Sequence, residues 1–245
     1  NGDMESIDTI KEGSKGKNLK LTVDLAFQTG VERILKNYFT AELAAGNATY
    51  SEGTYAIAMN PETGAILAMA GLKHDVKTGE LSSNSLGTVT DIVVPGSVVK
   101  GATLTSGWAN GAISGNQTLT DQPIVFGQDT KAITSWFTHF GNRDITALEA
   151  LEYSSNTYMV QLALKMMGMT YTPNMTVNLK NLDSSMEKLR TTFAEYGLGT
   201  KTGIDLPTES QGYIPKDFTF ANYLTNAFGQ FDNYTPMQLA QYAAT

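Results

Sequence analysis

Three pairs of residues in this chain could set a lysine beside a serine nucleophile: Ser14 with Lys17, Ser97 with Lys100, and Ser185 with Lys188. A serine at position i and a lysine at i+3 share one face of a helix. At a helix N-terminus, burial and the partial positive charge of the helix end both lower the amine's pKa. That leaves a neutral amine able to take the hydroxyl proton. Composition alone yields about one chance S-x-x-K in a chain of this size, so context has to separate the copies. Ser14 lies in a polar, Gly-containing lead-in that cannot preorganise it. Ser185 opens a charged amphipathic helix, where a solvated face is the simpler reading. Ser97 follows Ile92-Val93-Val94-Pro95-Gly96 and precedes Val98-Val99 and the apolar-rich stretch from Ala102 to Trp108. This places its hydroxyl at the start of a buried helix, with Lys100 one turn in. Gly101 is unexpected there, since Gly inside a helix costs about 1 kcal/mol relative to Ala. Close approach of another backbone would account for it.

The same sifting applies to S-x-N, whose serine could relay a proton and whose asparagine could hold a substrate amide. Three copies occur: Ser82 to Asn84, Ser114 to Asn116, and Ser154 to Asn156. The first two sit in loop-like polar stretches. The third interrupts two helical segments, where side chains project into a cleft from a rigid base, and it is the copy selected. K-T-G occurs at Lys77–Gly79 and at Lys201–Gly203. A catalytic K-T-G belongs on a strand beside the nucleophile, and both copies have loop composition, so both are read as accidental.

Other chemistries lack their residues. The 245 residues contain no Cys, which excludes zinc–thiolate sites, iron–sulfur clusters and thiol nucleophiles. The two histidines, His74 and His139, have no partner at i+4, so a HExxH zinc site is absent and each reads as a surface or packing residue. No G-x-S-x-G elbow, G-x-G-x-x-G turn or Walker loop is present. A net charge of −7 without a Lys/Arg-rich block argues against nucleic-acid binding. No apolar run approaches the roughly 20 residues that span a bilayer. Asn1 is not an initiator Met and no signal peptide is visible, so a processed or cut piece is expected.

The elements that must position these residues read as follows. Residues 1–18 are polar and Gly-containing and are expected to be a linker leading in from something upstream; residues 19–245 form the domain of interest. Leu19–Val23 alternates like a strand, and Asp24 is placed to cap a helix from Leu25 to about Leu43. Phe27, Val31, Ile34, Leu35 and Tyr38 recur at helical spacing and predict its core face. Thr54–Met59 and Ala65–Ala70 flank Asn60-Pro-Glu-Thr-Gly64, a hairpin signal. A polar stretch from Lys73 to Thr90 follows. Thr146-Ala-Leu-Glu149 is a capping box, a further helix runs from about Ser184 to Tyr196, and Thr235-Pro236 opens a last one that reaches Thr245 without a stop signal. A domain that continues further is therefore expected. The pattern is a mixed α and β domain with a helical half.

Six segments carry a resemblance: LTVDLAFQ from Leu21, NPETGAILAMAG from Asn60, VPGSVVKGAT from Val94, ALEYSSNTYM from Ala150, YGLGTKTGIDLPTES from Tyr196, and NAFGQFDNYTPMQLAQYA from Asn226. In order and over nearly the whole chain they resemble the class B penicillin-binding proteins, which are monofunctional DD-transpeptidases. The resemblance implies a serine-β-lactamase-like, DD-transpeptidase-like α/β sandwich, here incomplete at the C-terminus. The family's third motif, K-[TS]-G on a strand after the last helix, is missing, and so is one usual oxyanion-hole amide, the other being the N–H of Ser97. Ser97 matches the acylated serine, Lys100 its general base, Ser154 the proton shuttle and Asn156 the grip on the substrate amide, with no cofactor or metal.

The implied reaction attacks the D-Ala-D-Ala bond of a peptidoglycan stem peptide, expels D-Ala and passes the acyl group to an amine of a neighbouring stem. β-Lactams would acylate the same serine. Stem peptides, β-lactam antibiotics and cell-wall synthesis or division proteins are the implied partners. The implied location is the outer face of the cytoplasmic membrane, anchored by an upstream segment. Two rivals share the residues: a β-lactamase or penicillin-sensing receptor of the same fold, and a non-catalytic cell-wall scaffold. No E-x-x-L-N string follows Asn156 to supply a deacylating base, which predicts a long-lived acyl-enzyme.

Overall fold

The hairpin forms where its turn chemistry directs. A computed structural model describes residues 13, 15–127 and 131–245. Strands β1 (Gly53–Met59) and β2 (Ile66–His74) pair antiparallel, Gly53 opposite Lys73 and Ala58 opposite Ala68, with a register shift between Ala58 and Met59. Asn60 closes the turn by accepting the N–H groups of Glu62 and Thr63 on its side-chain oxygen, at 2.9 and 3.0 Å. The expected polar stretch from Lys73 to Thr90 contains two elements that its composition conceals. Strand β3 (Leu81–Ser83) pairs with the other side of β2, and α2 (Gly87–Thr90) is a single buried turn.

Helix α1 (Leu25–Ala44) lies on this sheet, capped by the Asp24 carboxylate, which accepts the Phe27 N–H at 2.8 Å. The face it buries is only partly the expected one. Phe27, Ile34 and Tyr38 are 47, 52 and 71% exposed, whereas Gln28, Val31, Leu35 and Phe39 turn toward the sheet. The expected and observed faces share Val31 and Leu35 and part at their edges, where periodicity cannot choose. The choice is made by sheet contacts: the Gln28 amide brackets the Met69 peptide at 2.8 and 2.9 Å, and Phe39 meets the His74 ring edge-on at 5.9 Å. Leu19–Val23 is not a strand. It finds no ladder partner, and its tie to the sheet is the Thr22 hydroxyl, donating to the Ile66 carbonyl at 2.6 Å. Ser14 and most of the linker lie outside the described residues.

The helical half is built around α3 (Lys100–Ala109), which packs on α5 (Asn156–Met166) and α6 (Leu182–Glu195). Leu104, Met159, Leu162, Phe193, Tyr223 and Leu224 form its fully buried centre. A short helix α4 (Ala147–Glu152), opened by the Thr146/Glu149 capping box, leads into α5, and strands β4 (Leu119–Asp121) and β5 (Arg143–Ile145) pair beside it. Helices α7 (Phe220–Asn226) and α8 (Pro236–Ala244) follow, and α8 joins the halves by packing on β1 and α2.

Ser185 is buried, donating to the Met166 carbonyl at 3.2 Å, which corrects the expected solvated face. Lys188 is exposed, so that pair shares no common site. Gly101 is explained by a side chain, not by a backbone. A Cβ there would stand 2.6 Å from the Tyr242 hydroxyl, which reaches in from α8 to accept the Ala102 N–H at 3.2 Å.

Candidate active site

The segment that delivers Ser97 is held on both sides. Asp91 accepts the Tyr55 hydroxyl and, at 2.7 Å, the Asn84 amide, which fixes the chain against the sheet. Val93 forms a two-way bridge with Tyr234, at 2.8 and 3.1 Å. Gly96 donates to the Gly229 carbonyl at 2.9 Å with its own φ at +59°. The two backbones are so close that a Cβ on Gly229 would stand 1.9 Å from the Gly96 carbonyl oxygen. The loop carrying Gly229 is itself anchored by the buried carboxylate of Asp232. Arg190 grips it with two hydrogen bonds, at 2.6 and 2.9 Å, and the Asn226 amide donates to it at 2.9 Å.

Ser97 sits at the start of a helix, as expected, but its own turn, Gly96–Val99, is a one-turn 3-10 helix joined end to end with α3. The tighter winding strengthens the pairing argument, because residues i and i+3 eclipse in a 3-10 helix. As the second residue of this turn, Ser97 carries an N–H that the turn itself cannot satisfy. Its side chain is exposed and makes no hydrogen bond among the described residues.

Lys100 is the opposite case, 1% exposed. Its Nζ donates to the Ser154 carbonyl at 2.7 Å, the Ser154 hydroxyl at 3.0 Å and the Asn156 side-chain oxygen at 2.7 Å. These three bonds use every donor an ammonium has, and none goes to a carboxylate. Burial pushes the amine down to about 8, and the negative charge of Asp121 partly opposes the shift. At pH 7 such an amine is about one-tenth neutral, against about four in ten thousand for an ordinary lysine.

The Ser154–Asn156 turn is shaped for this contact. The α4 helix stops at Glu152, Ser154 adopts φ +53°, and Ser155 caps α5 by accepting the Tyr158 N–H at 3.0 Å. A non-Gly residue in the left-handed region is uncommon and is held here by its surroundings. Asn156 donates its amide N–H to the Thr134 carbonyl at 3.1 Å, leaving its oxygen for Lys100. Lys100, Ser154 and Asn156 are thus in direct contact, and Ser97 lies one turn before Lys100 in the chain, with no hydrogen bond to its amine among the described residues. Sequence reasoning missed the layer beneath: the buried Asp121, with Ser135, Ser155 and Thr138 around it. No local motif marks Asp121, because its partners come from other segments.

The rejected copies have other uses. Ser82 lies on β3, not in a loop, and Asn84 serves Asp91. Asn116 accepts the Leu148 N–H at 3.0 Å, at the start of α4. Lys77–Gly79 forms the turn between β2 and β3, its N–H groups bonded to Asp75. Lys201 is exposed in a loop where Thr202 is tied to Glu209. Lys201→Ala is therefore expected to leave the rate of penicillin acylation of the full-length protein within twofold of wild type. A loss on the order of a thousandfold, the size of a lost catalytic group, would make Lys201–Gly203 a catalytic K-T-G. His74 is a packing residue, buried against Phe39, and His139 is exposed.

Comparison with known proteins decides the family. The family model described as the penicillin binding protein transpeptidase domain matches residues 54–245. The chain belongs to that family. It is 68% identical over its full length to penicillin-binding protein 2B of Streptococcus pneumoniae strain R6, spanning 36% of that relative. It is 27% identical to the peptidoglycan D,D-transpeptidase FtsI of Escherichia coli K12, with 93% of this chain and 35% of that relative covered. The solved structure of penicillin-binding protein 2B from S. pneumoniae strain 5204 superposes with a TM-score of 0.93 at 67% identity, covering all of this chain and 40% of that one. The chain therefore spans little more than a third of the relatives' length. Its mixed α/β architecture is that of the penicillin-binding transpeptidase fold.

Proposed function

We propose that the full-length protein is a peptidoglycan D,D-transpeptidase in which Ser97 is the nucleophile. Ser97 Oγ bonds to the carbonyl carbon of the penultimate D-Ala of a stem peptide, and the bond to the terminal D-Ala breaks. The hydroxyl proton passes to neutral Lys100, a proton reaches the leaving amine through the Ser154 hydroxyl, and free D-Ala departs. An amine of a neighbouring stem then attacks the ester, forms the cross-link and restores the serine. Asn156 holds the substrate amide, and the unsatisfied Ser97 N–H is available to the developing oxyanion. A β-lactam enters the same first step and leaves an acyl-enzyme.

One observation carries this reading: a lysine amine buried without a carboxylate in contact, lowered to about 8, and directed onto Ser154 and Asn156. Such an amine is a base near neutral pH, which a solvated surface lysine is not. No helix among the described residues is long and apolar enough to cross a membrane. The reaction nonetheless implies placement at the outer face of the cytoplasmic membrane, held by a segment elsewhere in the protein, alongside other cell-wall synthesis or division proteins.

The test is chemical. Fluorescent penicillin incubated with the full-length protein is expected to leave one stable adduct per chain, recovered by proteolysis and mass spectrometry on the peptide containing Val94–Thr103. A D-Ala-D-Ala stem peptide is expected to release D-Ala. An adduct mapped elsewhere, or none, overturns the assignment, and rapid repeated hydrolysis of a chromogenic cephalosporin would make the protein a β-lactamase.

A further inference from the structure

Behind the Ser154–Asn156 turn lies a carboxylate that the proposed reaction does not use. Asp121, at the end of β4, is fully buried and has no cationic partner in contact among the described residues. Its Oδ2 accepts the hydroxyls of Ser135 and Ser155, each at 2.6 Å, and its Oδ1 accepts that of Thr138 at 2.9 Å. Ser135 passes the order onward, its Oγ accepting the backbone N–H of Asn156 at 3.0 Å and of Thr157 at 3.3 Å. Ser155, the second hydroxyl on Oδ2, is the N-cap of α5 and lies between the two residues that Lys100 touches. A buried charge is tolerated where it is hydrogen-bonded throughout, and truncating it leaves several donors without acceptors.

We propose that Asp121 is a positioning residue for acylation, its carboxylate holding Ser154 and Asn156 against Lys100 through Ser155 and Ser135. This rests on the reading of Lys100 as the base. Asp121 also acts through space, its negative charge favouring the ammonium form against the desolvation that disfavours it. The charged side chains on the helices packed against α3 exert no comparable pull on the amine. They are Glu149 and Glu152 on α4, Lys165 on α5, and Asp183, Glu187, Lys188, Arg190 and Glu195 on α6. The carboxylate therefore does two separable things: it orders the turn, and it keeps the midpoint of the amine from falling further.

The two effects part in a pH profile of the second-order rate of penicillin acylation, measured on the full-length protein. Wild type is expected to rise with pH to a midpoint near 8 as Lys100 loses its proton. Asp121→Asn removes the charge, so its midpoint moves to lower pH by roughly half a unit to one unit. Its plateau falls about tenfold, because an amide cannot accept all three hydroxyls. Ser135→Ala keeps the charge and cuts the link to Asn156, so its plateau falls about tenfold with the midpoint unmoved. A merely structural role for Asp121 would lower the rate without moving the midpoint. An unmoved midpoint in Asp121→Asn, or a Ser135→Ala protein that acylates like wild type, overturns the proposal. If Asp121→Asn does not fold, which thermal unfolding reports, Ser135→Ala decides: a lowered plateau at an unchanged unfolding temperature supports positioning, whereas a lowered plateau matched by lost thermal stability, or an unchanged plateau, overturns it. A wild-type profile with no rising limb would instead overturn Lys100 as the base, and is distinguished by being seen before any substitution.

Discussion

Replacing Ser97 by alanine in the full-length protein is expected to abolish covalent labelling by penicillin, a loss of at least a thousandfold, while the protein stays folded. The hydroxyl is the atom that becomes bonded to the acyl carbon, and no other group is placed to take its position. Ser154 is engaged by Lys100, and Ser155 and Ser135 are buried on Asp121. Stability should hardly change, since Ser97 is exposed and its side chain makes no hydrogen bond among the described residues. Gel fluorescence after labelling, with a thermal unfolding curve as control, reads both. Labelling that survives the substitution removes Ser97 as the nucleophile and with it the reaction order set out above.

The second large effect is at Lys100. Lys100→Met, Lys100→Ala and Lys100→Arg are each expected to lower the acylation rate by about a hundredfold to ten-thousandfold, the range for a positioned general base. The series separates causes. Methionine fills much of the space without an amine, alanine leaves a void, and arginine keeps donors and charge but does not deprotonate in the working range. A common loss across the three assigns the effect to basicity, whereas a loss confined to alanine would assign it to packing. In wild type the sign follows from burial. The ammonium is the disfavoured form, so the neutral base accumulates as pH rises toward about 8, and below that the rate climbs nearly tenfold per unit. A Lys100→Met protein retaining more than a tenth of the wild-type rate would sink this assignment.

Much of the local architecture was legible in the residues because it depends on neighbours a few positions apart. Asp24, the Thr146/Glu149 box and Thr235-Pro236 sit where the helices begin, and Asn60 closes the hairpin as its type requires. Where two local readings were equally good, local reasoning chose wrongly or could not choose. On α1 the expected and observed faces share Val31 and Leu35, and the sheet shifts the edge from Phe27, Ile34 and Tyr38 to Gln28 and Phe39. Ser185 reads as part of a polar face, yet α5 covers it. Strand β3 has only three residues and exists because β2 offers it an edge.

The site divides along the same line. Sequence by itself determined which S-x-x-K and S-x-N copies have the right flanks, since a Val-rich approach, Pro-Gly and a break between helices are all written within ten residues of Ser97 and Ser154. Only the tertiary structure decided that the two motifs meet, through bonds from Lys100 to residues 54 and 56 positions away. It likewise decided that the amine is buried, which pushes it down to about 8, and that Asp121 lies behind the turn. A hydrogen bond three residues long is a property of chain geometry, but the solvation of a buried charge depends on everything packed around it.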